Sequence, residues 1–332
     1  MKAIVYTKYG PPDVLQLKDV ETPTPKDNEV LVKIHAASLN AADLDFLRGK
    51  FINRLGWGFL KPKYKILGSD IAGRIEAIGR NVKQSQPGDE IFADISGCGF
   101  GAFAEYVCVP ENELTLKSAN MTFEEAATLP QAAVVALQGL RNKRQIQPGQ
   151  KVLINGAGGG MGTFAVQIAK SFGAEVTGVD STIKLDMMRS IGADQVIDYT
   201  QEDFTKSGKR YDLILDLAAH RSIFDYKRAL SSKGIYALVG GSRGAILQAI
   251  FLGPLISIFG SKKMSIVMWK PNKKEDMVFL GELFEADKVV PVIDRRYPLN
   301  KVAEALRYLE EGHHQGKIVI TVEHNNKSEE LK

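Results

Sequence analysis

"VLINGAGGGMGTFAVQIAKSFGAEVTGVD", residues Val152 to Asp180, decides the fold. The apolar run KVLIN turns through Gly156, Gly158, Gly159, Gly160 and Gly162 into a segment whose apolar residues, Phe164, Ala165, Ile168, Ala169 and Phe172, recur at helical spacing. A second apolar run, EVTGVD, then ends in an acid. The spacing Ala157-x-Gly159-x-x-Gly162, with Gly160 and Met161 inside it, is a variant of the turn that lets main chain approach a pyrophosphate closely, with helix N–H groups facing the anion. Side chains at those glycines would obstruct that approach. A tight turn between a packed strand and helix is the plainer reading of the spacing alone. The flanking strand, the following helix and Asp180, at about the distance of a ribose-binding acid, favour a dinucleotide site. Asp180 could accept from the 2′-hydroxyl of NAD, whereas Ser181, Lys184 and Tyr199 could donate to a 2′-phosphate, which tips the expectation slightly toward NADP(H).

Outward from this stretch, apolar runs and helical patterns alternate: DQVIDY, DLILDLA, GIYALVG and MSIVMW are apolar on both faces, as in a doubly wound parallel sheet. The first third instead reads as short strands separated by turn clusters such as Gly10-Pro11-Pro12 and Pro87-Gly88-Asp89. Between the two, MTFEEAATLPQAAVVALQGL opens with Thr122 and Glu125 at capping-box spacing and reads as a helix. After the sheet, KKEDMVFLGELFEA and NKVAEALRYLEEG read as helices, VVPVIDRRYPL and GKIVITV as β structure. The expected organisation is an α/β chain: a mostly β domain over 1–124, a Rossmann domain over 125–270, and a return to the first domain over 271–332, with a disordered tail from about 323.

Composition sets further bounds. A chain of 332 residues exceeds one typical core, and 44% hydrophobic with 25% charged residues is ordinary for a globular protein. The net charge of +4 comes from scattered Lys and Arg, so no nucleic acid partner is expected. Two cysteines, Cys98 and Cys108, exclude a disulfide framework or a four-cysteine zinc site and fit a reducing, cytoplasmic setting. MKAIVYTKYG has no apolar signal region. The uncharged stretch Ala245–Phe259 is interrupted by Gly253-Pro254 and is shorter than the roughly 20 residues of a spanning helix. Three readings of it stay open: packing under the sheet or between copies, a lid over a lipophilic pocket, and peripheral membrane contact aided by Lys262 and Lys263.

The stretches ASLNAADLDFLRG, ILGSDIAGRIEAIG, PGDEIFAD, GAFAEYV, AATLPQAAVVALQGL, GAGGGMGTFAVQIAK, GADQVIDY and GKIVITV, in that order, resemble the medium-chain dehydrogenase/reductase superfamily and, within it, the zinc-independent quinone oxidoreductase (zeta-crystallin-like) branch. The resemblance implies a GroES-like catalytic domain around an inserted Rossmann domain, a homodimer, and an active site in the interdomain cleft. Zinc alcohol dehydrogenases of the superfamily carry a catalytic Cys where this chain has Asn40 and a His ligand where it has Ser69, followed by Asp70. Amide and hydroxyl are poor zinc donors, so no zinc is expected.

The implied activity is NAD(P)H-dependent hydride transfer to a quinone or α,β-unsaturated carbonyl. A 2-alkenal or enoyl reductase is the neighbouring reading, and a dinucleotide-binding sensor or structural protein with vestigial activity is the rival from another class. Asn40 and Asp43 are the candidate catalytic residues, with Asn40 also expected near the nicotinamide; Asp43 and Arg48 have a mutual ion pair as their plainer reading. Where the branch often has a tyrosine, near Asp45, this chain has none, so solvent is a candidate proton source. Val239, Gly240 and Gly241 match a strand end beside the nicotinamide, and Lys317 matches a basic residue approaching the phosphates or else is a solvated turn lysine. His35 reads as structural; His220, at a strand's carboxyl end, is open to cofactor or substrate contact.

Overall fold

The structure is a computed structural model that describes residues 1–49, 58–141 and 145–324. Most of the expected tail, residues 325–332, lies outside the described residues. The chain divides into two compact units, one formed by Met1–Gln131 with Ile293–Lys332 and the other by Ala132–Val292. These boundaries differ from those read at 124 and 270. The helix Lys274–Glu285 stays with the middle unit because its buried Asp276 accepts a hydrogen bond from Gln138 Nε2 at 2.8 Å and pairs with Arg141 at 3.3 Å.

In the first unit, strands β1 (Lys2–Val5) and β2 (Gln16–Asp19) form an antiparallel ribbon. The main sheet is built around the ten-residue β3 (Glu29–Ser38), whose buried positions alternate through Val30, Val32 and Ile34 before both faces become buried at Ala36–Ser38. On one side β3 pairs with β4 (Asp70–Ile78), followed by β5 (Glu90–Asp94) and β7 (Thr115–Leu116). On its other side it pairs with β6 (Tyr106–Pro110) over Glu29–Lys33 and with β15 (Lys317–Thr321) over Ala36–Ser38. The strand β14 (Ile293–Pro298) lies parallel to β15. Helices α1 (Ala41–Arg48) and α9 (Val302–Glu311) contribute Leu47, Val302, Ala305 and Leu306 to the core of this unit.

The helix expected from Thr122 onward is two helices, α2 (Phe123–Thr128) and α3 (Ala132–Leu140). Pro130 lies between them; it lacks an N–H and its ring opposes the carbonyl four residues back. The expected capping box is present: Glu125 N–H donates to Thr122 Oγ1 at 3.2 Å and Thr122 N–H to Glu125 Oε2 at 2.8 Å.

The middle unit is a parallel six-stranded sheet in the order β10-β9-β8-β11-β12-β13, formed by β8 (Lys151–Asn155), β9 (Glu175–Asp180), β10 (Gln195–Asp198), β11 (Tyr211–Asp216), β12 (Leu230–Leu238) and β13 (Lys263–Ile266). Chain order reverses between β8 and β11, and ligands of such sheets bind beyond the strands' carboxyl ends at that reversal. Helices α4 (Gly160–Ser171), α5 (Leu185–Ser190), α6 (Ile223–Ala229), α7 (Arg243–Phe259) and α8 (Lys274–Glu285) accompany the sheet. The apolar stretch interrupted in sequence by Gly253-Pro254 is thus one continuous helix, α7. No helix among the described residues is long and apolar enough to cross a membrane.

Replacing the exposed cap Thr122 by Ala removes one partner of the capping box without touching the core. It is expected to lower stability by about 1 kcal/mol, read as a shift of the urea unfolding midpoint at unchanged slope.

Candidate active site

The turn after β8 distinguishes two kinds of glycine. A Cβ on Gly162 would lie 2.1 Å from Gly156 O and 2.6 Å from the Ala157 backbone, so the fold itself excludes a side chain there. Gly156, at φ +85°, adopts a conformation that glycine alone takes without strain. A Cβ on Gly159 would meet nothing nearer than Gly156 O at 3.6 Å, an ordinary contact. The space in front of Gly159, the N-cap of α4, is therefore not needed for packing. The first N–H groups of a helix lack intrahelical partners, and a pyrophosphate against Gly159, Gly160, Met161 and Gly162 would take them. Ala157 is fully buried behind the turn. The residues fit a dinucleotide.

Asp180, at the carboxyl end of β9, is turned into this loop. Its carboxylate accepts from Gly158 N–H and Ser181 N–H, each at 2.9 Å, and Lys184 Nζ lies 3.4 Å away. Both side chains are nearly buried, so Lys184 is not the solvated helix residue its position in sequence allowed. Tyr199 follows β10 beside Asp180, is about half exposed, and stands 6.4 Å from the ring of His220, ring centre to centre. His220 itself is exposed, with Nδ1 3.1 Å from Ala218 O. Val239, Gly240 and Gly241 follow β12, with Val239 N–H donating to Asp216 O at 2.8 Å; a Cβ on Gly241 would lie 2.3 Å from Ala219 O.

Sequence reading missed the group beneath these loops. At the reversal point Asn155 Nδ2 donates to Asp216 Oδ1 at 2.7 Å, and Tyr236 OH donates to Asp216 Oδ2 at 2.9 Å, all buried. Burial pushes the Asp216 carboxyl upward, and the Asn155 and tyrosine hydrogen bonds oppose that shift. The network ties together the ends of β8, β11 and β12. An acid closing the apolar run DLILD and an amide closing KVLIN were its only sequence signals.

The first unit holds a second buried cluster. Asn40 caps α1, and its backbone N–H donates to Asp43 Oδ2 at 2.8 Å. Its side chain faces inward: Nδ2 donates to Asp70 Oδ2 at 2.9 Å and to Ser69 Oγ at 3.4 Å, while Oδ1 accepts from Lys317 Nζ at 2.7 Å. Both ends of the Asn40 amide are thus engaged within the protein. Lys317 is neither solvated nor at a surface turn; it is 2% exposed, also donates to Leu39 O at 2.8 Å and lies 3.7 Å from Asp70 Oδ2. Asp43 does not pair with Arg48, which reaches Glu310 instead. Burial pushes the Asp43 carboxyl up to about 7 and raises Asp70 as well, with the Lys317 ammonium opposing both shifts. Burial lowers the Lys317 pKa, against the pull of the two carboxylates. Asp70 Oδ1 is buried without a hydrogen-bond partner, the position a proton would take.

This donor set does not fit zinc. Asn40 and Ser69 offer an amide and a hydroxyl, and the Lys317 ammonium already holds the amide oxygen a dication would need. The His35 ring stacks on Phe123 with centres 4.4 Å apart and planes 9° apart, and burial pushes its pKa down to about 4.

Residues 26–119 match the alcohol dehydrogenase GroES-like domain, and residues 191–320 match the zinc-binding dehydrogenase family. The chain is 35% identical over 331 residues to the 2-methylene-furan-3-one reductase of Solanum lycopersicum, covering 96% of this chain and 79% of that protein. It is 33% identical, with the same coverage, to the chloroplastic NADPH-dependent alkenal/one oxidoreductase of Arabidopsis thaliana. The solved quinone oxidoreductase of Coxiella burnetii superposes with a TM-score of 0.86 at 29% identity, covering 97% of this chain and 99% of that one.

Two substitutions separate ligand space from packing space. Gly159→Ser, at an N-cap where Ser is favoured, is expected to keep stability within about 0.5 kcal/mol while weakening dinucleotide binding by calorimetry; Gly162→Ser is expected to lower both. Lys317→Met leaves Asp70 and Asp43 buried without their cation, and is expected to cost about 3–5 kcal/mol at pH 8. Since the folded-state Asp43 pKa lies above its unfolded value of 3.8, its contribution to stability is full below about pH 4 and is lost as pH rises through 7. The Lys317→Met penalty should therefore shrink on moving from pH 8 to pH 5, as measured by denaturant titration.

Proposed function

The chain belongs to the medium-chain dehydrogenase/reductase superfamily, in its NAD(P)H-dependent quinone and alkenal oxidoreductase branch, and from that premise we propose that it transfers hydride, without zinc, to a quinone or α,β-unsaturated carbonyl. The observation that carries this reading is the donor set around Lys317. Removing hydride from an unactivated alcohol depends on a Lewis acid at oxygen, and an amide, a hydroxyl and a competing ammonium do not assemble one. Conjugated acceptors need less, because charge arriving at the β-carbon is delocalised onto the carbonyl oxygen. The names of the relatives from Solanum and Arabidopsis, a methylene-furanone reductase and an alkenal/one oxidoreductase, support the same class of acceptor.

Reduced nicotinamide supplies the hydride when bound, and solvent supplies the proton that completes the saturated carbonyl. The chain's part in the middle unit is to present the glycine turn to the pyrophosphate and to keep the loops after β8, β11 and β12 in register through Asn155, Asp216 and Tyr236. In the first unit Asn40 and Asp43 act as positioning groups, holding the start of α1 through the Asn40 N–H to Asp43 hydrogen bond and the Lys317 contact. A homodimer, implied by the family resemblance, and a cytoplasmic location, in keeping with the unbonded Cys98 and Cys108, belong to this reading.

NADP(H) is the preferred cofactor. Asp180 is saturated by two backbone amides and by Lys184, so its charge is largely cancelled where a 2′-phosphate would approach. Ser181 and Tyr199 stand at the same strand ends as donors.

Spectrophotometric nicotinamide oxidation with a panel of quinones, enones and simple aldehydes tests the activity. Enones or quinones are expected to outpace saturated aldehydes by at least about 100-fold, equivalent to the several kcal/mol of missing electrophilic help, with no change after chelation. Loss of activity on chelation would refute the metal-free reading, and tight NADPH binding without turnover of any acceptor would favour the sensor. Lys184→Met unmasks the Asp180 charge and is expected to lower the NADPH-to-NADH ratio of kcat/KM by about tenfold or more, roughly 1.4 kcal/mol of discrimination.

A further inference from the structure

The solvent face of α7 is apolar from Leu247 to its C-terminal end. Leu247, Ile250, Phe251, Leu255, Ile258 and Phe259 succeed one another at helical spacing and are each between 46% and 86% exposed. The opposite face is fixed in place. Ala245 and Ala249 are buried, Leu252 and Ile256 pack on the core of the middle unit, and a Cβ on Gly253 would lie 2.9 Å from Met264 O on β13. The helix cannot roll to hide the exposed residues without breaking that packing. A helix apolar all round is normally covered on every side, and an exposed strip running from Leu247 to Phe259, about 18 Å along the helix, is a binding surface.

Charge identifies what covers it. From Tyr226 to Lys274 the chain carries nine Lys and Arg and no Asp or Glu. Lys262 and Lys263 follow the C-terminal end of α7, Arg243 stands in its first turn, and the Lys262 pKa is lowered by partial burial first and then by the nearby charges of Arg210 and Lys227. The acids that border this segment, Asp225 and Glu275, are paired with Arg228 and Lys273. A second copy docked face to face through α7 would bring two such basic margins together. An anionic bilayer surface satisfies both features at once: acyl chains take the apolar strip and lipid phosphates take the lysines.

We propose that α7 is an interfacial anchor by which the protein lies on anionic membranes, with the helix parallel to the surface and Phe251, Ile258 and Phe259 immersed in the lipid. The anchor does not span the bilayer, because α7 is held against the sheet along its other side. It also stands independently of which acceptor the enzyme reduces.

Vesicle co-sedimentation of the full chain tests it, using phosphatidylcholine vesicles with and without phosphatidylserine. The protein is expected to sediment with the phosphatidylserine vesicles, and to lose this binding between about 0.1 and 1 M salt as the Debye length shrinks from about 10 to 3 Å. Phe251→Ser/Ile258→Ser, which exchanges exposed apolar groups only, and Lys262→Glu/Lys263→Glu, which reverses two charges near the surface, are each expected to weaken binding by about tenfold or more. Thermal unfolding of both variants is expected to match the wild type, which excludes misfolding as the cause. No binding to phosphatidylserine vesicles, or equal binding by the wild type and both variants, would overturn the proposal. So would a wild-type dimer in light scattering that Phe251→Ser/Ile258→Ser converts to monomer, since a second copy would then cover α7.

Discussion

The first unit is organised around one buried ammonium. Lys317 opens β15, and its Nζ donates to Leu39 O and Asn40 Oδ1, groups far away in sequence at the junction of β3 and α1. An ammonium removed from water is tolerated only where carboxylates and carbonyls replace its hydration. Here Asp70 and the two oxygens do so, while Asp43 adds longer-range charge. The same contact determines the inward orientation of the Asn40 amide, and thereby what the neighbourhood of Ser69 and Asp70 can and cannot coordinate. Chemistry at this place is decided by which cation the fold has already installed.

In the middle unit the corresponding constraint is backbone proximity. Gly156 and Gly162 are glycine because the turn closes upon itself, whereas Gly159 faces space that no part of the chain fills. A single short motif thus contains residues serving the fold and a residue serving the ligand, and only the three-dimensional contacts separate them. Asp180 is comparable: its place in the sequence fits a ribose partner, yet in the structure it first braces Gly158 and Ser181.

Much of this was legible in the amino-acid order because the signals were local. The change from strand-like to helix-alternating periodicity located the parallel sheet, and Thr122 with Glu125 announced a helix start that the structure has. Hydrophobic periodicity, however, joined into one helix what the structure divides at Pro130. What stayed hidden depended on distant pairing. Nothing near Lys317 in sequence shows that it meets Asn40, and Arg48, on the same helix as Asp43, pairs instead with Glu310. The Asn155, Asp216 and Tyr236 group was similarly obscured, since each residue lies on a different strand of the sheet. For α7 the apolar composition was plain, but only the packing of Gly253 against β13 established which face remains outside.

The divided partnership of β3 bears on how the chain is assembled as it is made. One edge of β3 is shared end to end: β6 takes Glu29–Lys33, and β15 takes Ala36–Ser38. All six strands of the middle sheet are available once residue 266 has emerged, whereas the edge at Ala36–Ser38 has no strand to bond until 317–321 follows. During synthesis the middle unit can therefore close its sheet while the first unit waits with unpaired peptide groups and with Asp43 and Asp70 lacking their cation. Residues 317–321 deliver both the missing strand and the missing charge, so completion of the first unit waits for that one segment.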